Sequence, residues 1–184
     1  MRLVEKIDKT TESNIYINIF QGLPKADKME LIIQKCTELG VRTFVPVEME
    51  RCVVKLDNKT ANKKIERWQK IAETAAKQSG RDNIPKVENL INLKKVCNFI
   101  EKYDILLLAY ENEEDYTLKE ALSSIKDKKE LKIGIIIGPE GGITTKEVEM
   151  LEQAGAKVIT LGKRILRTET VGIMMTSIIS YELT

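Results

Sequence analysis

Two segments carry residue types and spacings that could do chemistry. Residues 138–142 read Gly-Pro-Glu-Gly-Gly and lie between an apolar run, residues 133–137, and a T-x-x-E pattern at Thr144 and Glu147. A strand that feeds a glycine-rich turn and then a capped helix offers unpaired N–H donors and a closely approachable backbone. It does so at the carboxyl end of a sheet, where α/β proteins bind ligands. Residues 161–170, LGKRILRTET, follow another apolar run and place Arg164, Arg167 and Glu169 in a loop. The two loops could share one pocket. Taken singly, the first is equally an ordinary turn and the second an ordinary strand-to-helix connection with solvated arginines. Neither is G-x-G-x-x-G and no G-x-x-x-x-G-K-[ST] occurs, so dinucleotide and P-loop readings are weak.

Composition narrows the chemistry further. The 184 residues contain no histidine, which removes the commonest general base near neutral pH and the commonest metal ligand. Ser-His-Asp, Cys-His and H-E-x-x-H mechanisms are excluded. Cys36, Cys52 and Cys97 lie far apart without C-x-x-C spacing, so they read as reduced and structural, with no metal site. The apolar runs are strand-sized and no signal peptide stands at the start, which gives the expectation of a cytoplasmic protein without a membrane span.

The elements that must position the two loops can be read from periodicity. Ile15, Ile17 and Ile19 alternate with Tyr16, Asn18 and Phe20 in a strand from Asn14 to Phe20. Helical spacing of Met29, Ile32, Ile33, Cys36 and Leu39 predicts a helix from Lys25 to Leu39, closed by Gly40. A strand over 43–47, a helix from Thr60 to about Ser79, and a helix capped by Asn92 and running to about Tyr103 follow. Strands at 104–109, 132–137 and 157–161 alternate with helices starting at Leu118 and at Thr145, the latter capped by Thr144 and closed by Gly155. The last helix, Thr168 to Leu183, is apolar nearly all round and must be covered on more than one side, in part by a second subunit. Strands alternating with helices give an α/β domain with a mainly parallel sheet flanked by helices.

The net charge of +2 announces no partner, but its distribution is uneven. Residues 24–100 hold 16 Lys and Arg against 10 Asp and Glu, whereas residues 101–130 hold 5 against 9. An RNA-facing half is one reading; solvated helix faces are the blander one.

The segments KADKMELIIQKCTELGV, ERCVVK, RWQKIAETAAKQSGR, IGPEGG and LGKRILRTETVGIMM occur in this order. Together they resemble the ribosomal RNA uridine-N3 methyltransferase family, over nearly everything from Asn14 to the C-terminus. The resemblance implies a SPOUT fold whose C-terminal chain threads a deep trefoil knot, and a homodimer formed around it. It implies that S-adenosylmethionine binds in a bent form between the two loops, largely by backbone contacts. Gly138, Gly141, Gly142, Leu161, Gly162, Ile165 and Leu166 are the cofactor contacts so assigned, with Leu108 from a third wall. Ribosomal RNA, or the small ribosomal subunit, is the implied partner, with Arg51, Lys63, Arg67, Lys77, Arg81 and Arg164 as phosphate-tracking candidates.

Methylation of uridine N3 requires loss of a proton. Without histidine the candidate bases are Glu140 and Glu169, whose pKa would have to be raised by burial, while Arg167 or Arg164 could stabilise the developing anion. Two departures from the family stand out. Its members carry an N-terminal RNA-binding barrel of the PUA type, so residues 1–13 read as a remnant of, or linker to, that domain, and residues 14–184 as the methyltransferase domain. Val171 stands where Ala or another small residue is expected. The rival readings are a SPOUT methyltransferase for another RNA position, an inert cofactor- or RNA-binding dimer, and a nucleotide-binding regulator.

Overall fold

The computed structural model describes residues 10–184; most of the expected N-terminal remnant lies outside the described residues. Strands and helices alternate in the order β1 (Ile15–Gly22), α1 (Lys28–Glu38), β2 (Thr43–Glu48), α2 (Asn58–Gln78), β3 (Lys86–Val87), β4 (Ile91–Asn92) and α3 (Leu93–Cys97). They continue with β5 (Ile105–Ala109), α4 (Leu118–Ser123), β6 (Leu131–Ile137), α5 (Thr145–Gln153), β7 (Lys157–Ile159) and α6 (Thr168–Leu183). The sheet runs β3-β2-β1-β6-β5-β7, with β4 also paired to β2, and every pairing is parallel. The expected α/β architecture is therefore present, and the sheet is parallel throughout its described pairs.

Parallel strands are covered on both faces, which is why the central strands are apolar runs. β1 pairs with β6 in the register Ile17↔Ile133, Ile19↔Ile135 and Gln21↔Ile137. Odd-numbered residues of both strands thus share one face, where α6 and α1 pack: a Cβ on Gly172 of α6 would lie 3.3 Å from Ile137 Cδ1 and 3.4 Å from Cys36 Sγ. The opposite face carries Phe20, whose ring meets Tyr103 edge-on at 5.8 Å. Val171 is half-buried and the close approach falls one residue later, at Gly172, so the helix accommodates the larger side chain.

Three helices differ in extent from the sequence reading, each for a local reason. α1 starts at Lys28 rather than Lys25 because Ala26 adopts φ +51, a left-handed conformation that no α-helix contains. α2 starts two residues early because Asp57 accepts a hydrogen bond from Thr60 N at 2.7 Å and caps it. Asn92 does cap α3, accepting from Lys95 N at 3.1 Å, but the helix ends at Cys97 and a 3-10 turn follows at Ile100–Lys102. The chain must become extended at Tyr103, so that this residue can reach Phe20 and accept from Asn18 Nδ2 at 2.9 Å.

The sheet contains a topological switch. From β1 the chain leaves through α1 toward β2 on one side; from β6 it leaves through α5 toward β7 on the other. Neighbouring strands whose connections depart in opposite directions open a crevice beyond their carboxyl ends. α6 returns from the β7 side to pack across β1, β6 and α1, and its N-terminus closes that crevice. Among the described residues, no helix is long and apolar enough to cross a membrane.

Candidate functional site

The crevice between β1 and β6 is floored by residues lacking Cβ or carrying amides. Pro139 lies across Gly22, where an added Cβ would sit 2.7 Å from Pro139 Cδ and 2.8 Å from Pro139 N. Gly142 has φ +72, which L side chains rarely adopt, and its N–H closes a turn on Pro139 O at 2.9 Å. The turn then enters α5 through a full capping box: Thr144 accepts from Glu147 N while Glu147 accepts from Thr144 N. Glu147 Oε1 also accepts from Glu50 N at 2.8 Å, which ties the end of β2 to this cap.

Beneath the turn, Gln21 is fully buried and donates from Nε2 to Gly22 O at 3.0 Å and to Thr168 Oγ1 at 2.9 Å. Thr168 in turn donates to Gly138 O at 2.7 Å. One amide thus fastens the 138–142 turn to the first residue of α6. Gln21 Oε1 is buried and has no partner among the described residues. Neither Gln21 nor Thr168 stands out in the sequence reading.

The third wall comes from the β5 end. Tyr110 N donates to Ile159 O and Thr160 N to Tyr116 O, so the loop after β5 runs beside the loop after β7. Its Glu111 Oε1 lies 2.7 Å from where a Cβ on Gly142 would stand. Leu108 itself is fully buried inside the sheet, paired between Ile136 and Val158, so its side chain cannot line the crevice. That wall belongs to the residues beyond Ala109.

The 161–167 loop is the open side. Gly162 has φ +96, Lys163, Arg164 and Arg167 are exposed, and Ile165 is 86% exposed. Leu161 and Leu166 are half-buried. Arg167 is the residue preceding the first turn of α6 and makes no side-chain cap. Glu169, in that first turn, stands 3.4 Å from Lys28 Nζ, but its Oε2 is buried and outside hydrogen-bond geometry. Lys28 Nζ also lies 3.0 Å from Glu140 Oε1, and Lys25 N donates to both oxygens of Glu140 at 3.0 and 3.3 Å. Burial alone would raise the Glu140 carboxyl, but the Lys28 ammonium and the backbone donors outweigh it and hold it below the usual carboxylate range. The raised pKa expected of a base is therefore not found at Glu140. Glu140 in turn holds the Lys28 ammonium above its ordinary value.

The basic candidates separate. Arg51 extends from the β2 end to the turn, donating from Nη1 to Gly141 O at 3.1 Å, with its own Cβ and carbonyl 3.0 Å from where a Cβ on Gly141 would stand. Arg81 is a correction. Its side chain is 6% exposed, pairs with Glu12 Oε2 at 2.7 Å, and donates to Val41 O at 2.6 Å and Thr37 O at 3.0 Å. A guanidinium so occupied inside the protein has no donor face for a phosphate. Lys63 and Arg67 line a groove of about 1000 Å³ between α1 and α2, where Arg67 pairs with Glu30 at 2.8 Å; Lys77 is exposed in the last turn of α2. The groove's walls are mixed charges from the two helices around Leu31 and Ile71 and hold no buried polar group. Arg164 alone of the six lies in a crevice loop with its charge exposed.

The comparisons agree with this geometry. A family model described as an RNA methyltransferase domain matches residues 11–180. The chain is 42% identical over 182 residues to ribosomal RNA small subunit methyltransferase E of Bacillus subtilis strain 168, covering 98% of this chain and 71% of that protein. It is 34% identical to the protein of the same description from Mesomycoplasma hyopneumoniae strain 232, over 94% of this chain and 73% of the relative. The crystal structure of a ribosomal RNA small subunit methyltransferase E from Neisseria gonorrhoeae bound to S-adenosyl methionine superposes with TM-score 0.82 at 32% identity, covering 94% of this chain and 68% of that one. A match over nearly the whole described chain, with both glycine-bearing loops meeting at the sheet's switch point, means that the chain belongs to the RNA methyltransferase family.

Proposed function

We propose that the protein is an S-adenosylmethionine-dependent methyltransferase that modifies N3 of a uridine in small-subunit ribosomal RNA, in the cytoplasm, as a homodimer. The observation that carries the reading is the convergence of the 138–142 and 161–167 loops on the β1–β6 crevice, in a fold shared with a Neisseria gonorrhoeae protein whose crystal structure is bound to S-adenosyl methionine. The residues present fit that cofactor. Exposed Ile165, with Leu161 and Leu166, gives an apolar wall, and the glycine turn is held in place by the Ile143, Arg51 and Glu111 side chains packed directly on its backbone. The cofactor supplies a methyl group on a positively charged sulfur.

This chain's residues supply position and charge. Arg167, exposed at the mouth of the crevice, is placed to stabilise the uridine anion as N3 loses its proton. Of the two carboxylates, Glu140 is held by Lys25 N and Lys28, and Glu169 Oε2 is buried against the same Lys28, which leaves the proton to water. Gly138 O is already engaged by Thr168 and contributes as scaffold. A homodimer is favoured by α6, which buries Thr168, Gly172, Met175, Thr176 and Ile179 but leaves Met174 and Ile178 half-buried and Tyr181 87% exposed. The knot and the assignment of residues 14–184 as the catalytic domain belong to the same proposal, supported by the return of α6 across β1 and β6.

The test is calorimetric titration with S-adenosylmethionine and ATP, followed by nucleoside analysis of small ribosomal subunits treated with protein and cofactor. Expected are a Kd of about 1–100 μM for S-adenosylmethionine, no comparable heat with ATP, and 3-methyluridine in the digest. A different methylated nucleoside would establish another RNA target; binding without transfer would establish the inert dimer; preference for ATP would overturn the reading.

A further inference from the structure

Three segments far apart in the sequence meet at one ammonium. Lys28 opens α1, Glu140 stands in the β6–α5 turn, and Glu169 stands in the first turn of α6; Lys28 Nζ lies 3.0 Å from the first carboxylate and 3.4 Å from the second. The two carboxylates belong to the two segments that the Thr168 bond to Gly138 O joins, and like charges so placed repel. Among the described residues, no other Lys or Arg side chain is within 4.0 Å of either. The Lys28 charge offsets that repulsion, beside the bond by which Thr168 already joins α6 to Gly138 O.

The backbone leading to Lys28 is shaped for this contact. Ala26, with φ +51, is the one described non-glycine residue with positive φ, a conformation that costs energy and persists where the surroundings demand it. The turn it makes points Lys25 N at both oxygens of Glu140 and starts α1 with Lys28 facing the same carboxylate. Glu169 Oε2, sealed from solvent without a hydrogen bond, is the other end of the arrangement. A buried carboxylate oxygen left so is costly unless a neighbouring charge compensates it.

We propose that Lys28 is a positioning residue that clamps the 138–142 turn to the first turn of α6 and thereby sets the width of the cofactor pocket. The proposal rests on the functional reading above for the identity of the cofactor, though not for the clamp itself. The experiment compares wild type with Lys28→Met, Lys28→Arg, Glu140→Gln and the Lys28→Met/Glu140→Gln double variant. Amide hydrogen exchange of residues 138–142 and 168–172 is followed without cofactor, and S-adenosylmethionine affinity is measured by calorimetry. Lys28→Met is expected to fold, to exchange about 10-fold faster in both segments, and to bind the cofactor about 10-fold more weakly; Lys28→Arg restores both to within about 3-fold. Adding Glu140→Gln to Lys28→Met is expected to recover part of the loss, because it removes the carboxylate repulsion that Lys28→Met leaves unopposed. Unchanged exchange in Lys28→Met, failure of Lys28→Arg to rescue, or additive effects of Lys28→Met and Glu140→Gln would each overturn the clamp. If wild type binds no S-adenosylmethionine the functional reading fails, and the exchange data still decide the clamp.

Discussion

Arg81 holds its guanidinium inside the protein, against Glu12 and three backbone carbonyls at the end of α1, whereas Arg167 holds its own in solvent at the crevice mouth. The two should therefore fail differently. Arg81→Met leaves Glu12, 7% exposed, with Arg42 at 3.4 Å and the Asn83 N–H but without its closest partner, and is expected to cost about 3 kcal/mol in urea unfolding, the low end for removing one partner of a buried pair. Arg167→Ala is expected to leave the urea midpoint and cofactor affinity in place while turnover falls about 10²–10³-fold. Unchanged turnover would remove Arg167 from the mechanism, and a shifted midpoint would make it structural. Nothing in the local sequence separates these arginines: the partner of Arg81 lies 69 positions away. Lys28, Gln21 and Thr168 escaped sequence reading for the same reason. The glycine turn and the Arg167 loop were legible because their signal is local, a turn composition between two periodic segments.

At the scale of elements, the long periodic or apolar stretches were readable and the short ones were not. β1, β2, β5, β6, β7, α2 and α6 follow runs whose burial pattern a sequence expresses directly. β3 and β4 are two residues each and exist only because β2 offers an edge, so no periodicity could announce them. The α3 boundary was set by where Tyr103 had to go, a tertiary demand that overrides helix propensity. The α5 cap was legible, and it does more than end a helix. Thr144→Ala is expected to cost about 1 kcal/mol, as for a lost helix cap. Glu147→Ala should cost more, because it removes the return bond of the box and also the Glu50 N–H contact that joins the β2 end to α5. Equal urea midpoints for the two variants would show that the Glu50 contact contributes nothing.

For the whole molecule, the titrating groups define where folding should depend on pH. No histidine is present, so no side chain has an unperturbed pKa between about 5 and 8. On the acid side, burial raises Glu12, yet the Arg81 guanidinium, the Asn83 N–H and the Arg42 charge together leave it lowered; the Lys128 contact likewise lowers Asp104. A carboxylate whose folded pKa lies below its unfolded value contributes stability that is present above about pH 4.5 and lost as pH falls through the folded value. On the alkaline side, burial pushes the Cys36 thiol up to about 12 and raises Cys52 and Cys97. A folded pKa raised above the unfolded value gives stability that is complete below about pH 8.5 and is lost as pH climbs toward 12. Urea midpoints are therefore expected to be level from about pH 5.5 to 8 and to decline on both sides. Arg81→Met should reduce the acid slope, because Glu12 then lacks the partner that lowers it, and Cys36→Ala should reduce the alkaline slope at the cost of a lower plateau. A midpoint that slopes steadily between pH 6 and 8 in wild type would contradict this assignment, since no described side chain could supply the protons.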